Sequence, residues 1–275
     1  MVELQPDRFH ALLPALRRVP INHLFARSVL EQDVQGGVWV DQPDDPSLIH
    51  VIHPYGMTLL FGDAKQTSPA ELKAHFLSPA SKPADRWLQA EPGPLSPLLD
   101  QLLDVEWTTP ERPPGGPRVQ RYTRSNFQFV PARYAEKRRL ISPPARSKTR
   151  PLLAQEFALP DISVSPQKFW RSAEQFLARG GGWGLEVEGS LASMAFCSFR
   201  FDDQLEIGVE TRAEYRGRGY ALHAACALID ECIAQDLEPV WSCRKENKAS
   251  YRLAQALGFE PGIEIPYYRL PGGVT

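Results

Sequence analysis

The chain has 275 residues, a net charge of −2 and four cysteines. That length suffices for one large domain or two of ordinary size, each able to bury a core. The near-neutral charge excludes a global pull toward nucleic acid or anionic lipid, and no uncharged apolar run approaches the roughly 20 residues of a membrane helix. Cys197, Cys226, Cys232 and Cys243 form neither a C-x-x-C pair nor a cluster with histidines. They are therefore expected as buried thiols in a reducing compartment rather than as zinc ligands or disulfides. Glu3 and Asp7 precede any apolar run, so no secretory signal is read and the expectation is a soluble, cytoplasmic protein.

In chain order, Arg8 to Arg18 predicts an opening helix bent at Pro14, and Asn22 is a candidate cap for a second helix through Leu30. Gly36-Gly37 precede a short strand, Val38 to Asp41. Leu48 to Ile52 and Met57 to Phe61 alternate around Pro54-Tyr55-Gly56 as a hairpin. Ser68-Pro69 starts a helix toward Leu77, and Leu95 to Leu103 makes another. His50 and His53 stand three apart on or beside the hairpin without a third ligand at a recognisable spacing, so no metal site is predicted. His10, His23 and His75 are scattered and read as ordinary surface or core residues.

Prolines and glycines between Pro92 and Pro117 mark a connection poor in regular structure. Basic residues then gather from Arg118 to Arg150, with Tyr122, Phe127, Phe129 and Tyr134 interleaved and only Glu136 opposing. Such a pattern could line a nucleic-acid groove. In a chain that is otherwise acidic, the favoured reading is a solvated strap between domains, and nucleic acid is not an expected partner. No internal repeat is visible.

The second half predicts a first strand at Leu152 to Leu159, then a helix opened by Ser165-Pro166 with Phe169, Trp170, Ala173, Phe176 and Leu177 on one face, ended at Gly180. Trp183 to Val187 and Leu191 to Phe201 flank a Glu188-Gly189-Ser190 turn, and Asp202-Asp203 turn the chain into a strand at Leu205 to Thr211. That strand runs into Arg216-Gly217-Arg218-Gly219-Tyr220-Ala221 and then into a helix carrying Leu222, Ala225, Leu228 and Ile229 at helical spacing. The first amides of a helix lack intrahelical partners and sit at the positive end of its dipole. Glycines let a phosphate approach them, so strand, Gly-rich turn and helix make an anion cradle. Neither a dinucleotide fingerprint, which would need Gly at Leu222, nor a P-loop fits these residues. Pro239 to Cys243 is a short strand, Asn247 to Leu257 a helix with Asn247 as candidate cap and Gly258 as its left-handed stop, and Phe259 onward a last strand pair.

The spacing Arg216-x-x-Gly219-x-Ala221 resembles the pyrophosphate signature of the GNAT superfamily, the acetyl-CoA-dependent N-acetyltransferases. Asn247-x-x-Ser250 followed by Leu253-Ala254 and Leu257-Gly258-Phe259 resembles the second motif of that superfamily, and the predicted order β-α-β-β-β-α-β-α-β matches its core over about residues 150–270. Asn22 to Ala26, Phe61-Gly62-Asp63, Glu206 to Thr211 and Pro239 to Cys243 look like phrases of the branch that includes the zwittermicin A resistance protein. The resemblance implies an α+β chain. A GNAT fold (a mixed, mostly antiparallel sheet flanked by helices) at 121–275 follows a smaller mixed α/β domain of unassigned role at 1–120.

It also implies acetyl-CoA as acyl donor and transfer of its acetyl group directly to the amine of a small polar metabolite or antibiotic. Arg216, Gly217, Arg218, Gly219, Tyr220 and Ala221 would hold the pyrophosphate, with Asn247 contributing from the second motif. Relatives splay the strand before the turn from its neighbour, and by position Val209 and Thr211 would line the gap, with the Val209 amide as oxyanion donor. Glu206 and Glu210 share one face of that strand and are candidate bases. Many relatives carry Tyr seven residues after the motif Asn. Here that residue is Ala254, so Ser250, one turn earlier, and Tyr251, about 60° away around the helix, are the remaining acid candidates. Cys243 is read as an inert packed thiol. Two other readings stay open: an acyl-CoA-binding sensor or scaffold without turnover, and nucleic-acid binding by the basic strap. The sequence sets neither the acceptor nor the oligomeric state, and a homo-oligomer remains open.

Overall fold

A computed structural model describes residues 1–77, 85–107 and 118–272. The proline- and glycine-rich run 110–117 lies outside the described residues. The chain divides into two units. One comprises Met1–Asn126, Arg244–Asn247 and Ile263–Thr275, and the other Phe127–Cys243 with Lys248–Gly262.

In the first unit, strand β1 (Val2–Glu3) precedes a 3-10 stretch, Pro6–Leu12, and two short helices, α1 (Leu13–Leu16) and α2 (Leu24–Leu30). Pro14 falls in the first turn of α1, where its missing N–H costs nothing. Asn22 is not the cap of α2. It takes a left-handed φ of 55°, and its amide oxygen accepts from Arg124 Nε at 3.2 Å. Strands β2 (Gly37–Val40), β3 (Leu48–Ile52) and β4 (Met57–Gly62) form an antiparallel meander that β1 extends. Helix α3 (Pro69–Leu77) then leads into β5 (Arg86–Ala90), which lies parallel to β4. Helix α4 (Leu95–Leu102), β6 (Glu106–Trp107) and β7 (Gln120–Phe129) follow.

Leu48, Leu60, Leu88 and Tyr268 on the strands pack against Leu72 and Phe76 of α3 and Leu95 and Leu99 of α4. Each buried Leu or Phe in such a core contributes about 1.5–3 kcal/mol. Tyr268, on the same face, anchors its hydroxyl on Asp100 Oδ1 at 2.9 Å.

In the second unit, helix α5 (Pro131–Arg138) packs on later elements through Tyr134, whose hydroxyl donates to the Cys226 carbonyl at 3.0 Å and to Asp230 Oδ1 at 2.5 Å. The basic segment is therefore not an unstructured strap. It contains β7, α5 and the edge strand β8 (Ser147–Pro151). Half of its ten basic side chains are in ion pairs, among them Arg121 with Asp100, Arg133 with Glu260, Arg138 with Asp230, and Arg146 with Glu188.

The expected strand at Leu152 to Leu159 is instead this polar β8, just upstream. Arg150 forks onto Glu156 at 2.5 Å and Glu186 at 2.8 Å, and Glu156 also takes the Leu153 amide, so the chain turns where the apolar run begins. The single helix expected from Ser165 is broken in two. A 3-10 turn at Pro166–Lys168 is followed by α6 (Ala173–Arg179), whose N-terminus is capped by Ser172 Oγ accepting from Gln175 N at 3.1 Å. Trp170 is fixed between them by its indole N–H on the Cys197 carbonyl at 2.7 Å, while Leu177 is left exposed.

Strands β9 (Gly182–Val187), β10 (Ser190–Phe201) and β11 (Gln204–Thr211) continue the antiparallel ladder from β8. The β9–β10 turn uses Glu188 and Gly189 at positive φ, as the hairpin twist requires. Helix α7 (Tyr220–Ala234) crosses to β12 (Glu238–Arg244), parallel to β11. Helix α8 (Lys248–Ala256) begins immediately after Asn247 and stops at Gly258 with φ 85°. Phe259 to Leu270 form one long strand, β13, rather than a pair.

The two units share an element order that the sequence does not repeat. Each runs strand, helix, three-strand meander, helix, parallel strand, helix and strand, and β4∥β5 in one corresponds to β11∥β12 in the other. This order is that of the GNAT fold.

Candidate active site

The site forms where β11 parts from β12. Their parallel register runs only from Gln204↔Glu238 to Glu206↔Val240, although β11 continues to Thr211 and β12 past Trp241. Beyond Glu206 the strand is held on one side by β10 alone, through Ser193↔Thr211. The Arg212 amide donates to the Ala192 carbonyl at 3.1 Å. Antiparallel alternation then turns the amides of Val209 and Thr211 to the opposite edge, toward the gap. The Thr211 amide is occupied by Glu210 Oε1 at 3.2 Å, which leaves that of Val209 facing the opening.

The turn that follows is shaped by two glycines. Gly217 has φ 76° and Gly219 φ 77°, and a Cβ at either would meet no atom within 4 Å. These positions need glycine for their left-handed backbone, and open space lies where side chains would stand. Gly219 is the N-cap of α7, so the unpaired first amides and the dipole of a 15-residue helix point into that space. A diphosphate fits such a cradle. Arg218 stacks over Tyr215 at 5.8 Å. Arg216 donates from Nε to the Thr211 carbonyl at 3.0 Å and from Nη2 to Glu210 Oε1 at 3.2 Å.

The first unit has the same turn in a different state. Ser68 and Glu71 cap α3 reciprocally, with Glu71 Oε2 taking the Ser68 amide at 3.1 Å, so a carboxylate already occupies that helix end. Strands β4 and β5 stay zipped to their ends. Glu91 N donates to the Leu60 carbonyl at 3.0 Å, and Gly62 N donates to Glu91 Oε1 at 2.6 Å.

The two strand carboxylates differ. Glu206 is buried at 8 % exposure, sits at the last rung of the β11–β12 ladder and accepts from Ser242 Oγ at 3.2 Å. Glu210 is held by Ser163 Oγ at 2.7 Å, the Thr211 amide and Arg216. Sequence reading placed both on one face but missed the ion pair with Arg216, because six residues and a turn separate the partners.

On α8, Ser250 Oγ accepts the Trp241 indole N–H at 3.2 Å, and Tyr251 lies edge-on to Phe127 at 5.0 Å. Ala254 is fully buried. Cys243 is buried too, and burial pushes the thiols of Cys226 and Cys232 up to about 11 and about 12. Thiolate chemistry thus has no support at those two. His50 and His75 share a hydrogen bond at 2.8 Å in the first unit, and no group of three or more metal-ligating side chains occurs among the described residues.

A family model described as GNAT acetyltransferase matches residues 147–268, the stretch that carries the parted strands and the glycine cradle. That stretch, a little under half of the chain, is similar to the GNAT acetyltransferase family. An uncharacterised N-acetyltransferase of Bacillus subtilis, YdfB, is 24% identical over 247 residues, 89% of each chain. Among solved structures, a GCN5-related N-acetyltransferase-like protein from Streptococcus suis superposes with a TM-score of 0.68 at 20% identity, over 96% of this chain and 99% of that one. A tandem GNAT protein from the clavulanic acid biosynthesis pathway gives 0.65 at 12% identity, over 100% and 98%. These likenesses show the fold, and the second agrees with the repeated element order of the two units. No helix among the described residues is long and apolar enough to cross a membrane.

Proposed function

We propose that this chain is an N-acetyltransferase that moves the acetyl group of acetyl-CoA directly to the amine of a small polar metabolite or antibiotic, at a single site per chain in the second unit. The observation that carries the reading is the ladder that stops at Glu206↔Val240 beside an open, left-handed glycine turn. The amides of Gly217 to Ala221 hold the pyrophosphate, Arg216 and Arg218 add charge there, Asn247 contributes from the start of α8, and Val209 and Thr211 line the gap for the pantetheine.

In the transfer step the neutral amine nitrogen bonds to the thioester carbonyl carbon. The Val209 amide receives the developing oxyanion, and the carbon–sulfur bond breaks as the tetrahedral intermediate collapses. Glu206, at the last rung of the ladder beside the gap, takes the proton that the ammonium must lose. Glu210 is the second candidate, once Arg216 turns to the diphosphate. The departing thiolate takes a proton from Ser250, whose oxygen accepts from Trp241, or from water, and the second proton shed by the former amine nitrogen replaces it. Tyr251 is the weaker alternative, since its ring is turned to Phe127.

The short phrases shared with the zwittermicin A resistance branch support an antibiotic or similar polar amine as acceptor. Four buried, unbridged cysteines support a cytoplasmic setting. The paired arginines of the 118–150 segment argue against a nucleic-acid partner. A mass-resolved screen of amines with acetyl-CoA tests the reading. An acetylated product with release of one CoA thiol is expected. Acetyl-CoA binding without any product across the screen would favour a non-catalytic acyl-CoA sensor.

A further inference from the structure

The first unit carries a cation that its own fold does not satisfy. Arg244 is half-buried, and its guanidinium lies over the rings of Trp87 at 4.8 Å and Tyr122 at 5.2 Å. Among the described residues no hydrogen-bond or ion-pair partner meets its side chain. The two rings, 5.4 Å apart, lie on one side of the guanidinium and shield it from water there, while its N–H donors, in a fixed fork, stay unused. A desolvated charge without a counter-ion is unfavourable, so such an arrangement is built around something that arrives from outside.

The surroundings point the same way. On β5 the alternation sets Trp87 and Gln89 on the face opposite the core residues Leu88 and Ala90. On β7, Gln120 and Tyr122 share one face, and Trp87 meets Tyr122 at 5.4 Å. Gln89 is completely buried, and neither its amide oxygen nor its amide nitrogen has a partner. Gln120 is nearly as buried, and its Nε2 is likewise unpartnered. Leaving such a group unsatisfied is costly, and a native fold keeps few of them.

Of the carboxylates nearest in sequence, Asp85 pairs with Arg269 at 2.6 Å and Glu264 with Lys245 at 2.7 Å, while Glu246 takes the Thr123 amide on Oε1 at 3.3 Å and keeps its buried Oε2 without a partner. The same face carries Arg124, stacked on Tyr267 at 5.1 Å. The local balance is positive, aromatic and rich in amide groups.

We propose that this face of the first unit is a binding site for the carboxylate of a small molecule, received by the forked edge of Arg244, with the Gln89 and Gln120 amides adjoining. A planar carboxylate matches the guanidinium fork in two parallel hydrogen bonds, beside flat rings that a tetrahedral phosphate fits less selectively. Its test reads ligand binding and does not depend on turnover.

The full chain is titrated with sodium benzoate, sodium acetate, benzamide and inorganic phosphate, and read by ligand-observed NMR and tryptophan fluorescence. Benzoate and acetate are expected to bind. Benzamide, of the same shape without the charge, and phosphate are expected to bind at least tenfold more weakly. Arg244→Gln removes the fork and is expected to weaken benzoate at least tenfold, while acetyl-CoA affinity stays as in the parent. Gln89→Leu guards against a folding artefact. It deletes the unpaired amide and is expected to raise Tm while weakening benzoate. Equal binding of benzamide and benzoate, equal binding of phosphate and benzoate, or undiminished benzoate affinity in a folded Arg244→Gln chain would each overturn the proposal.

Discussion

Gly219→Glu tests the cradle most sharply, because the structure separates its cost to folding from its cost to binding. A Cβ at Gly219 meets nothing within 4 Å, so the substitution causes no steric clash in the free protein. Its φ of 77° penalises any residue with a side chain, by about 1–2 kcal/mol. Binding suffers differently. A carboxylate about 4 Å from one phosphate charge is repelled by roughly 1 kcal/mol in water and about 4 kcal/mol at the effective dielectric near a protein surface. Taking about 3–4 kcal/mol for a half-open cradle gives a loss of roughly 10²- to 10³-fold in acetyl-CoA affinity. Gly219→Asn is the control, since Asn tolerates the left-handed region and brings no charge. Isothermal titration should give one site per chain in the parent, a modest loss for Asn and the large loss for Glu, with both variants still folding cooperatively. A folded Gly219→Glu chain with unchanged affinity would refute the placement of the pyrophosphate.

Glu206→Gln should lower kcat/KM by about 10²- to 10⁴-fold at neutral pH while acetyl-CoA affinity is preserved, as steady-state rates beside titration would check. His53 is buried, its Nδ1 accepts the Tyr55 amide at 3.1 Å, and burial lowers its pKa from 6.5 to about 3. A depressed folded-state value means that stability is fully present above pH 6.5 and declines below it, by about 1.4 kcal/mol per pH unit toward pH 3. His53→Asn, which keeps an acceptor but cannot titrate in that range, should flatten the decline in denaturant melts. Tyr134→Phe removes the hydroxyl whose one hydrogen is shared between the Cys226 carbonyl and Asp230 of α7, and should cost about 1–3 kcal/mol, seen as a lower Tm with acetyl-CoA affinity unchanged.

The path from β9 to α7 was legible because strand alternation, two turns at positive φ and a 3.6-residue apolar stripe all agree there. Where the fold departs from expectation, a specific side chain overrides the pattern. The apolar run after Pro151 reads as a strand until Glu156 folds back onto Arg150 and the Leu153 amide. The helix from Ser165 is continuous by periodicity but broken by the Ser172 cap and the anchored Trp170 indole. Asn22 has cap chemistry, yet its oxygen goes to Arg124, about a hundred residues away, which no local rule can reach. The repeat between the two units was invisible because topology is set by alternation and turns, not by residue identity. At the site, residue types located the cradle and the candidate carboxylates. The strand parting and the Arg216–Glu210 pair depend on register and a turn, which spacing alone does not encode.

A crystal structure of the chain with coenzyme A tests the central claim most directly. The account predicts the diphosphate against the amides of Gly217 to Ala221 and the sulfur between β11 and β12, within reach of Val209 N. A diphosphate seated elsewhere, or the strands found closed beyond Glu206↔Val240 with the ligand bound, would contradict it.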